Sequence, residues 1–430
     1  MTREVLLHPG AEESIRALAG ADIVVGIPSF NNASTIGHVV RAAAAGCVKY
    51  FPGQKAVIVN SDGGSSDGTP DVVAKADPLA PWKLLVSHEV SPVHRIVTPY
   101  HGIPGKGSAF RTIFAVAKRL QARALALVDA DLRSITPEWM ELLLGPVMQG
   151  GFDFVAPLYL RHKYDGTITN SIVYPLTRAL YGKEIRQPIG GDFGLSGRLA
   201  AHYLEKPVWD SHVARFGIDI WMTTTALAEG FRVCEAFLGA KIHDPKDPGA
   251  DLSAMLVQVV SSVFDLMEAY HERWSGVVSP EGVPLFGFPH GVGLEPVNVD
   301  VERMLGIFRE GARSLGEVWA RALPESVLER TRALACAPNG AFRLDDPLWV
   351  RIVYDFALAY HRRLLPREQL LASLVPLYLG RTASFVLETR TGTAEEVEGA
   401  ISALAEAFVS GKPYLVKVWG RGETPCGPPS

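Results

Sequence analysis

The chain has 430 residues, 47% of them hydrophobic. That length corresponds to about three domain-sized units with at least one large core, and it excludes disorder as a whole-chain answer. Lysine and arginine number 42 against 46 aspartates and glutamates, a formal net charge of −4. No broad basic excess is available to neutralise a nucleic-acid backbone, so no nucleic-acid partner is expected. Four cysteines, Cys47, Cys234, Cys336 and Cys426, stand far apart without a C-x-x-C pair. This argues against a disulfide framework or a thiolate zinc site and fits a reducing cytosol. Glu4, Glu12 and Glu13 interrupt the first 21 residues, so no secretion leader is expected. Apolar stretches such as 254–264 fall short of the roughly 20 residues that span a bilayer, which predicts a soluble, cytoplasmic protein.

Between residues 21 and 155, short β-branched runs alternate with longer mixed segments, the pattern of a parallel sheet with crossover helices. Strands are predicted at 22–28, 55–60, 83–87 and 123–129, with helices at 34–45, 69–76 and 107–120 between them. Ligands in such sheets bind beyond the carboxyl ends of the strands. The segments 29–32, 62–67 and 129–131 fall there. A strand at 154–158, a helix at 171–180 and a glycine turn at 190–191 are expected to complete this domain. Helical spacing then dominates over 251–274, 301–322, 347–363, 367–387 and 393–409. The expected division is a catalytic domain over 1–250 and a helical domain over 251–430, with a lid or linker at 276–296.

Chemistry concentrates in three loops. The run Val128-Asp129-Ala130-Asp131-Leu132 ends an apolar strand in two carboxylates one residue apart, hard oxygen ligands suited to magnesium or manganese. Asp-x-Asp is common by chance, so its weight comes from its companions. One is Asp62-Gly63-Gly64-Ser65-Ser66-Asp67-Gly68-Thr69, in which Asp62 can accept hydrogen bonds from a base or ribose. The other is Gly105-Lys106-Gly107 before a helix, where an ammonium can meet phosphate and glycines let backbone approach a nucleotide.

These runs, taken in order with Gly26-Ile27-Pro28-Ser29-Phe30-Asn31-Asn32, resemble a GT-A nucleotide-sugar glycosyltransferase. Pro188-Ile189-Gly190-Gly191-Asp192, Gly217-Ile218-Asp219 and Lys241-Ile242-His243 further resemble the retaining subgroup of mannosylglycerate, glucosylglycerate and glucosyl-3-phosphoglycerate synthases. The likeness covers about 23–274. It implies an α/β fold, a GT-A (Rossmann-like) nucleotide-sugar-binding domain followed by a mainly helical C-terminal domain. Pro28, Ser29, Phe30, Asn32, Asp62, Lys106, Asp129 and Ala130 would contact the donor nucleotide, with Asp129 reaching the ribose. Asp131 and His243 would coordinate the divalent cation on the donor phosphates. Gly190, Gly191 and Asp192 would hold the hexose.

Asp219 matches the subgroup's active-site acid and could orient or deprotonate the acceptor hydroxyl. Arg161, Gly166, Thr167, Ile168 and Thr169 would form an anionic acceptor pocket, the arginine fork binding a carboxylate. Relatives that use 3-phosphoglycerate tend to carry arginine where this chain has Thr167; Lys246 could compensate. The activity implied is retaining transfer of a hexose, glucose favoured over mannose, from a UDP- or GDP-sugar to D-glycerate. Glucosyl-3-phosphoglycerate synthesis, an inverting transferase with another acceptor, and a non-catalytic nucleotide-sugar sensor are the alternatives. A homodimer is expected from the subgroup alone.

Overall fold

The computed structural model describes residues 5, 7, 9–76, 94–99, 105–242, 253–291, 297 and 299–420. The chain divides into two compact units: one gathers 1–162, 185–246 and 282–295, the other 163–184, 247–281 and 296–430.

The first unit is built on one sheet, eight-stranded among the described residues. Its strands are β1 (Ile23–Ser29), β2 (Ala56–Asp62), β3 (His94–Pro99), β4 (Ala124–Leu127), β5 (Phe154–Leu160), β6 (Phe193–Ser196), β7 (Val233–Ala240) and β8 (Leu285–Phe286). Their order across the sheet is β8-β7-β5-β6-β4-β1-β2-β3. Pairing is parallel except at β6, which runs antiparallel to both β4 and β5.

The apolar runs of β1 and β2 reflect burial on both faces, as a parallel sheet covered by crossover helices requires. Ile23, Val25 and Ile27 share a core with the helices Ile36–Tyr50 and Glu138–Met148. The alternate residue Gly26 faces the other way, where an added Cβ would lie 2.5 Å from Ile113 in the helix Lys106–Arg119.

The reversed strand decides which residues meet at the functional edge. The carboxyl ends of β1, β2, β4, β5 and β7 bring Ser29, Asp62, Asp129, Arg161 and Lys241 to one edge of the sheet. Since β6 runs the other way, the residues before it, Gly190-Gly191-Asp192, reach that same edge, and Leu127 stands opposite Phe193. One extra residue in β7 shifts the register between Leu158 and Tyr159, with Gly239 at φ +80° taking the bulge. Bulges re-aim side chains, and beyond this one Lys241 sits over the Tyr159 ring, 5.3 Å from its centre.

Close backbone packing sets the start of the helix Lys106–Arg119. A Cβ on Gly107 would lie 1.9 Å from the Val213 carbonyl oxygen, and one on Gly105 2.5 Å from that of Ala214. These glycines therefore dock the helix onto the turn at 213–215.

Several expectations shift in detail. The predicted strand 83–87 lies outside the described residues, while β3, without an apolar-run signal of its own, pairs in parallel with β2. The stretch 276–296 is not a plain linker, because Leu285 and Phe286 add a short parallel strand beside β7.

In the helical unit the segment 163–184 is tied down by hydrogen bonds. The Trp349 indole donates to the Ser171 carbonyl (2.7 Å), and the Lys163 ammonium donates to the Thr389, Arg390 and Gly392 carbonyls at 2.8, 3.1 and 3.2 Å. That ammonium satisfies the last carbonyls of the helix Arg367–Thr389, the end of a helix that attracts cations. The same helix is long and apolar enough to cross a bilayer by length and composition, contrary to the expectation that no stretch would be. With 72% of its apolar window buried within the protein, it reads as a core helix. A further helix, Glu325–Ala335, has no counterpart among the predicted elements.

Gly107→Ala is expected to destabilise the fold by about 1–3 kcal/mol through overpacking against a backbone that cannot yield. Gly399→Ala, on an exposed helix position with open space, is expected to stabilise it by about 0.5–1 kcal/mol. Urea unfolding of both variants checks the contrast.

Candidate active site

The loops after β1 and β2 are locked together by short polar side chains. Asp62 is their centre. The Ser29 and Ser65 hydroxyls donate to its Oδ1 (2.9 and 2.6 Å), and the Gly64 and Ser65 amides donate to its Oδ2 (2.9 and 2.8 Å). Both carboxylate oxygens are thus engaged in shaping the loop. Asn31, at φ +55°, and Asn32 complete the lock. The Asn31 amide donates to Ser65 Oγ (2.8 Å), the Phe30 amide to Asn32 Oδ1 (2.9 Å) and the Asn32 amide to Thr69 Oγ1 (2.8 Å). Asn tolerates the left-handed conformation because its amide can bond locally. What this frame presents to solvent is the Phe30 ring, 63% exposed, next to half-buried Pro28. Ala130 is buried, and its carbonyl accepts from Thr35 Oγ1 (2.8 Å).

A cluster of opposite charges occupies the middle of the edge. Lys106 Nζ lies 2.8 Å from Asp129 Oδ1 and 3.3 Å from Asp219 Oδ2, and donates to the Gly191 carbonyl (3.1 Å). Lys241 Nζ lies 2.8 Å from Asp129 Oδ2 and 2.8 Å from Asp192 Oδ2, and donates to the Gly190 carbonyl (2.9 Å). Asp192 Oδ1 accepts from the Asp129 amide (2.7 Å), and the Tyr159 hydroxyl donates to Asp192 Oδ2. Side-chain exposure rises from 0% at Asp192 and 5% at Lys241 to 13% at Asp219, 16% at Lys106 and 22% at Asp129. The cluster therefore has a closed floor, Asp192 and Lys241, and an open mouth. Gly191, at φ +95°, takes a backbone conformation that side chains rarely adopt, and a Cβ there would also press on Asp129 Oδ2 (2.5 Å) and Lys241 Nζ (2.8 Å).

Burial opposes every charge in this cluster, and the neighbours decide each outcome. For Asp129, burial is outweighed by Lys106 and Lys241, which hold its carboxyl below the usual range. For Asp192 burial wins over Lys241, and Asp129 adds to it, so its pKa is raised. Burial likewise raises that of Asp219, with Lys106 only partly offsetting it. Both lysines are pushed above their ordinary values because, against burial, Asp129 together with Asp219 or Asp192 favours the ammonium. Asp219 Oδ1 is buried and has no hydrogen-bond partner among the described residues, an acceptor aimed at nothing in the protein.

Asp131, half-buried just beyond β4, makes no hydrogen bond or ion pair among the described residues. A partner-free carboxylate at this edge suits a hard cation that keeps other positions for phosphate oxygens and water, so the donor chemistry fits magnesium or manganese. His243 lies outside the described residues, as does Lys246, and among the described residues no group of three histidines, cysteines or acids could hold a metal.

The residues assigned to the acceptor are distributed over both units. Arg161 belongs to the first, where its guanidinium donates to the Gly190 carbonyl (3.4 Å) and lies over the Tyr159 ring. Gly166, Thr167, Ile168 and Thr169 belong to the helical unit. There Thr167, Ile168 and Thr169 are buried, and the Thr167 hydroxyl is 2.5 Å from that of Tyr378. Gly166, at φ +70°, accepts from the Asn170 amide (2.9 Å).

Two participants carry no role in the motifs themselves. Lys241 stands in its motif only as a neighbour of His243, and Tyr159 reads as one more apolar residue of a buried strand. An ammonium two residues from a metal-type histidine, at a strand's carboxyl end, is the signal that points to the first; the second has none.

Residues 85–265 match the family model described as the mannosylglycerate synthase GT domain. No curated protein matches the chain. Among solved structures, a mycobacterial protein aligns at 23% identity and TM-score 0.43, over 60% of this chain and 80% of its own. Glucosyl-3-phosphoglycerate synthase from Mycobacterium tuberculosis with phosphoglyceric acid aligns at 19% identity and TM-score 0.43, over 61% and 86%. The same enzyme with Mn2+, uridine diphosphate and phosphoglyceric acid gives 21% identity and TM-score 0.43, over 60% and 84%. Motifs, a mixed sheet with its charged edge, and the matched family model agree on one resemblance, a GT-A glycosyltransferase of the mannosylglycerate synthase type.

Proposed function

We propose that the chain is a metal-dependent, retaining glycosyltransferase that moves a hexose from a nucleoside diphosphate sugar to D-glycerate or a close analogue. The observation that carries this reading is Lys106, an ammonium held between Asp129 and Asp219 at the mouth of the charged edge, with Asp131, partner-free among the described residues, two residues beyond Asp129. Breaking an anomeric bond to a diphosphate demands stabilisation of the charge that develops on the leaving oxygen. Lys106, whose longest contact is the 3.3 Å one to Asp219, would turn from that carboxylate to the leaving oxygen while keeping Asp129. Bound magnesium or manganese, with Asp131 and His243 as protein ligands, would supply charge neutralisation of the diphosphate.

The exposed Phe30 ring offers a face for the base to stack on, and Asp129, the most exposed acid of the cluster, would reach the ribose as the resemblance implies. Asp219 Oδ1 accepts a hydrogen bond from the acceptor hydroxyl and orients it. The acceptor oxygen then bonds to the anomeric carbon from the side the diphosphate leaves, the carbon–oxygen bond to phosphate breaks, and the hydroxyl proton passes to a diphosphate oxygen. No enzyme nucleophile is required.

The match over 85–265 to a mannosylglycerate synthase domain supports a glycerate-type acceptor. Unphosphorylated glycerate is favoured because Thr167 stands where users of the phosphorylated acid carry arginine, and its hydroxyl is engaged by Tyr378.

The test is incubation with manganese or magnesium, UDP- and GDP-linked glucose or mannose, and either D-glycerate or 3-phosphoglycerate. Acceptor-dependent release of nucleoside diphosphate and an α-linked glyceric acid glycoside by NMR are expected, abolished by EDTA and restored by manganese. Donor binding without transfer to either acid would overturn the reading. Lys106→Met is expected to lower kcat on the order of 100- to 1,000-fold.

The pH profile gives a second check. Asp219 must be ionised to accept the hydroxyl, and its pKa is raised by burial. Activity should therefore fall on acidification as that group protonates, at a pH above the roughly 4 of an ordinary aspartate. Asp219→Asn should remove this acidic limb and lower kcat about tenfold, because the amide oxygen still accepts the hydroxyl but without the charge that strengthens the bond.

A further inference from the structure

Lys241 is an ammonium of the charged edge with no donor left to offer. Its three N–H groups meet Asp129 Oδ2, the Gly190 carbonyl and Asp192 Oδ2 within 2.8–2.9 Å. With 5% of its side chain exposed and the Tyr159 ring beneath it, it cannot reach a substrate as Lys106 can. Asp192 is equally closed. Its carboxylate is fully buried and divided among the Asp129 amide, Lys241 and the Tyr159 hydroxyl, so it has no surface to offer a sugar hydroxyl.

Both partners therefore act inward. Lys241 joins the end of β4, through Asp129, to the glycine turn before β6, through Gly190 and Asp192. The missing Cβ at Gly191 leaves the space in which the Asp129 carboxylate and the Lys241 ammonium meet. An alanine there would contact Asp129 Oδ2 and Lys241 Nζ together, so the turn, the lysine and the first acid of the Asp-x-Asp pair form a single fitted unit.

We propose that Lys241, with Asp192 as its buried counter-ion, is a positioning residue of the transferase, fixing the Asp129 carboxylate against the Gly190–Gly191 turn without touching donor or acceptor. The proposal deepens the transferase reading and rests on it. Removing the ammonium while leaving the carboxylate would strand a charge at the closed floor, and the turn and Asp129 would separate.

The experiment compares Lys241→Met, Asp192→Asn and the double variant with the wild-type chain, by steady-state kinetics with the active nucleotide sugar and by calorimetric titration of UDP or GDP, whichever matches it. Lys241→Met is expected to lower kcat/KM on the order of 100-fold, the scale of a misplacement near 1 Å. Nucleoside diphosphate affinity should fall by less, about tenfold, because the displaced Asp129 is the group expected at the ribose, and the rest of the loss should fall on kcat. The double variant should lose no more than the worse single one, since removing both charges strands neither.

Three results would overturn the proposal. They are unchanged turnover in Lys241→Met, a fall in nucleoside diphosphate affinity that matches the fall in kcat/KM, or losses that multiply in the double variant. A wild-type chain that turns over no nucleotide sugar overturns the transferase reading instead. In that case thermal melting decides the pair: non-additive shifts in the double variant support the strut, and additive shifts reject it.

Discussion

Three carboxylates brought to one edge of a sheet cannot keep their charge out of water unless cations fold in with them. In this protein Lys106 and Lys241 meet that constraint for Asp129, Asp192 and Asp219, and much else depends on it. The ion pairs contribute little net stability of their own, because the loss of hydration offsets most of the attraction. Their effect is positional. Every strand end that delivers one of these groups must sit where its counter-charge can reach, which ties β4, β7, the turn before β6 and the two helices beginning at Lys106 and Ile218 into one arrangement.

The two lysines divide the work according to depth. Lys241 is closed in and saturated, a fixed strut. Lys106 also has three acceptors but is more open, 16% exposed against 5%, with its contact to Asp219 stretched to 3.3 Å, which suits it to the anion-meeting role of the proposed function. A similar division appears in the loops after β1 and β2. Asp62, the acid that invites a direct role with the base, has its oxygens engaged by Ser29, Ser65 and the Gly64 amide. The group offered outward is the Phe30 ring. Polar residues thus build the frame, and the contact surface is carried by what the frame holds out.

Much of this was legible in the sequence because it is local. An apolar run ending in Asp129-Ala130-Asp131, or a glycine-rich turn holding Asp62, announces a strand end and its loop within ten residues. The α/β organisation, with helices dominating the later chain, comes from the same periodicities. What escaped depends on contacts distant in sequence. The antiparallel placement of β6 makes Asp192 the partner of Asp129, 63 residues away, and gives Lys241 its place. The helix expected at 367–387 is there, but that its apolar length reaches that of a membrane span, and that burial in the protein accounts for it, shows only in the packed unit. The segment 163–184 belongs with the helices because Lys163, Ser171 and Arg178 find partners at Thr389, Trp349 and Glu406, more than 170 residues on.

The bare backbones at Gly105 and Gly107 carry an implication for how this site can change. They let the turn at 213–215 press directly on the start of the helix that bears Lys106, and that turn leads within four residues to Asp219. No side chain lies between to absorb a displacement. An insertion or deletion at 211–217, the natural way to reshape the space beside Asp219, would be transmitted to Lys106. On the proposed function, acceptor range and leaving-group geometry would be one inherited trait, and a lineage or an engineer that alters the first would have to re-fit the second.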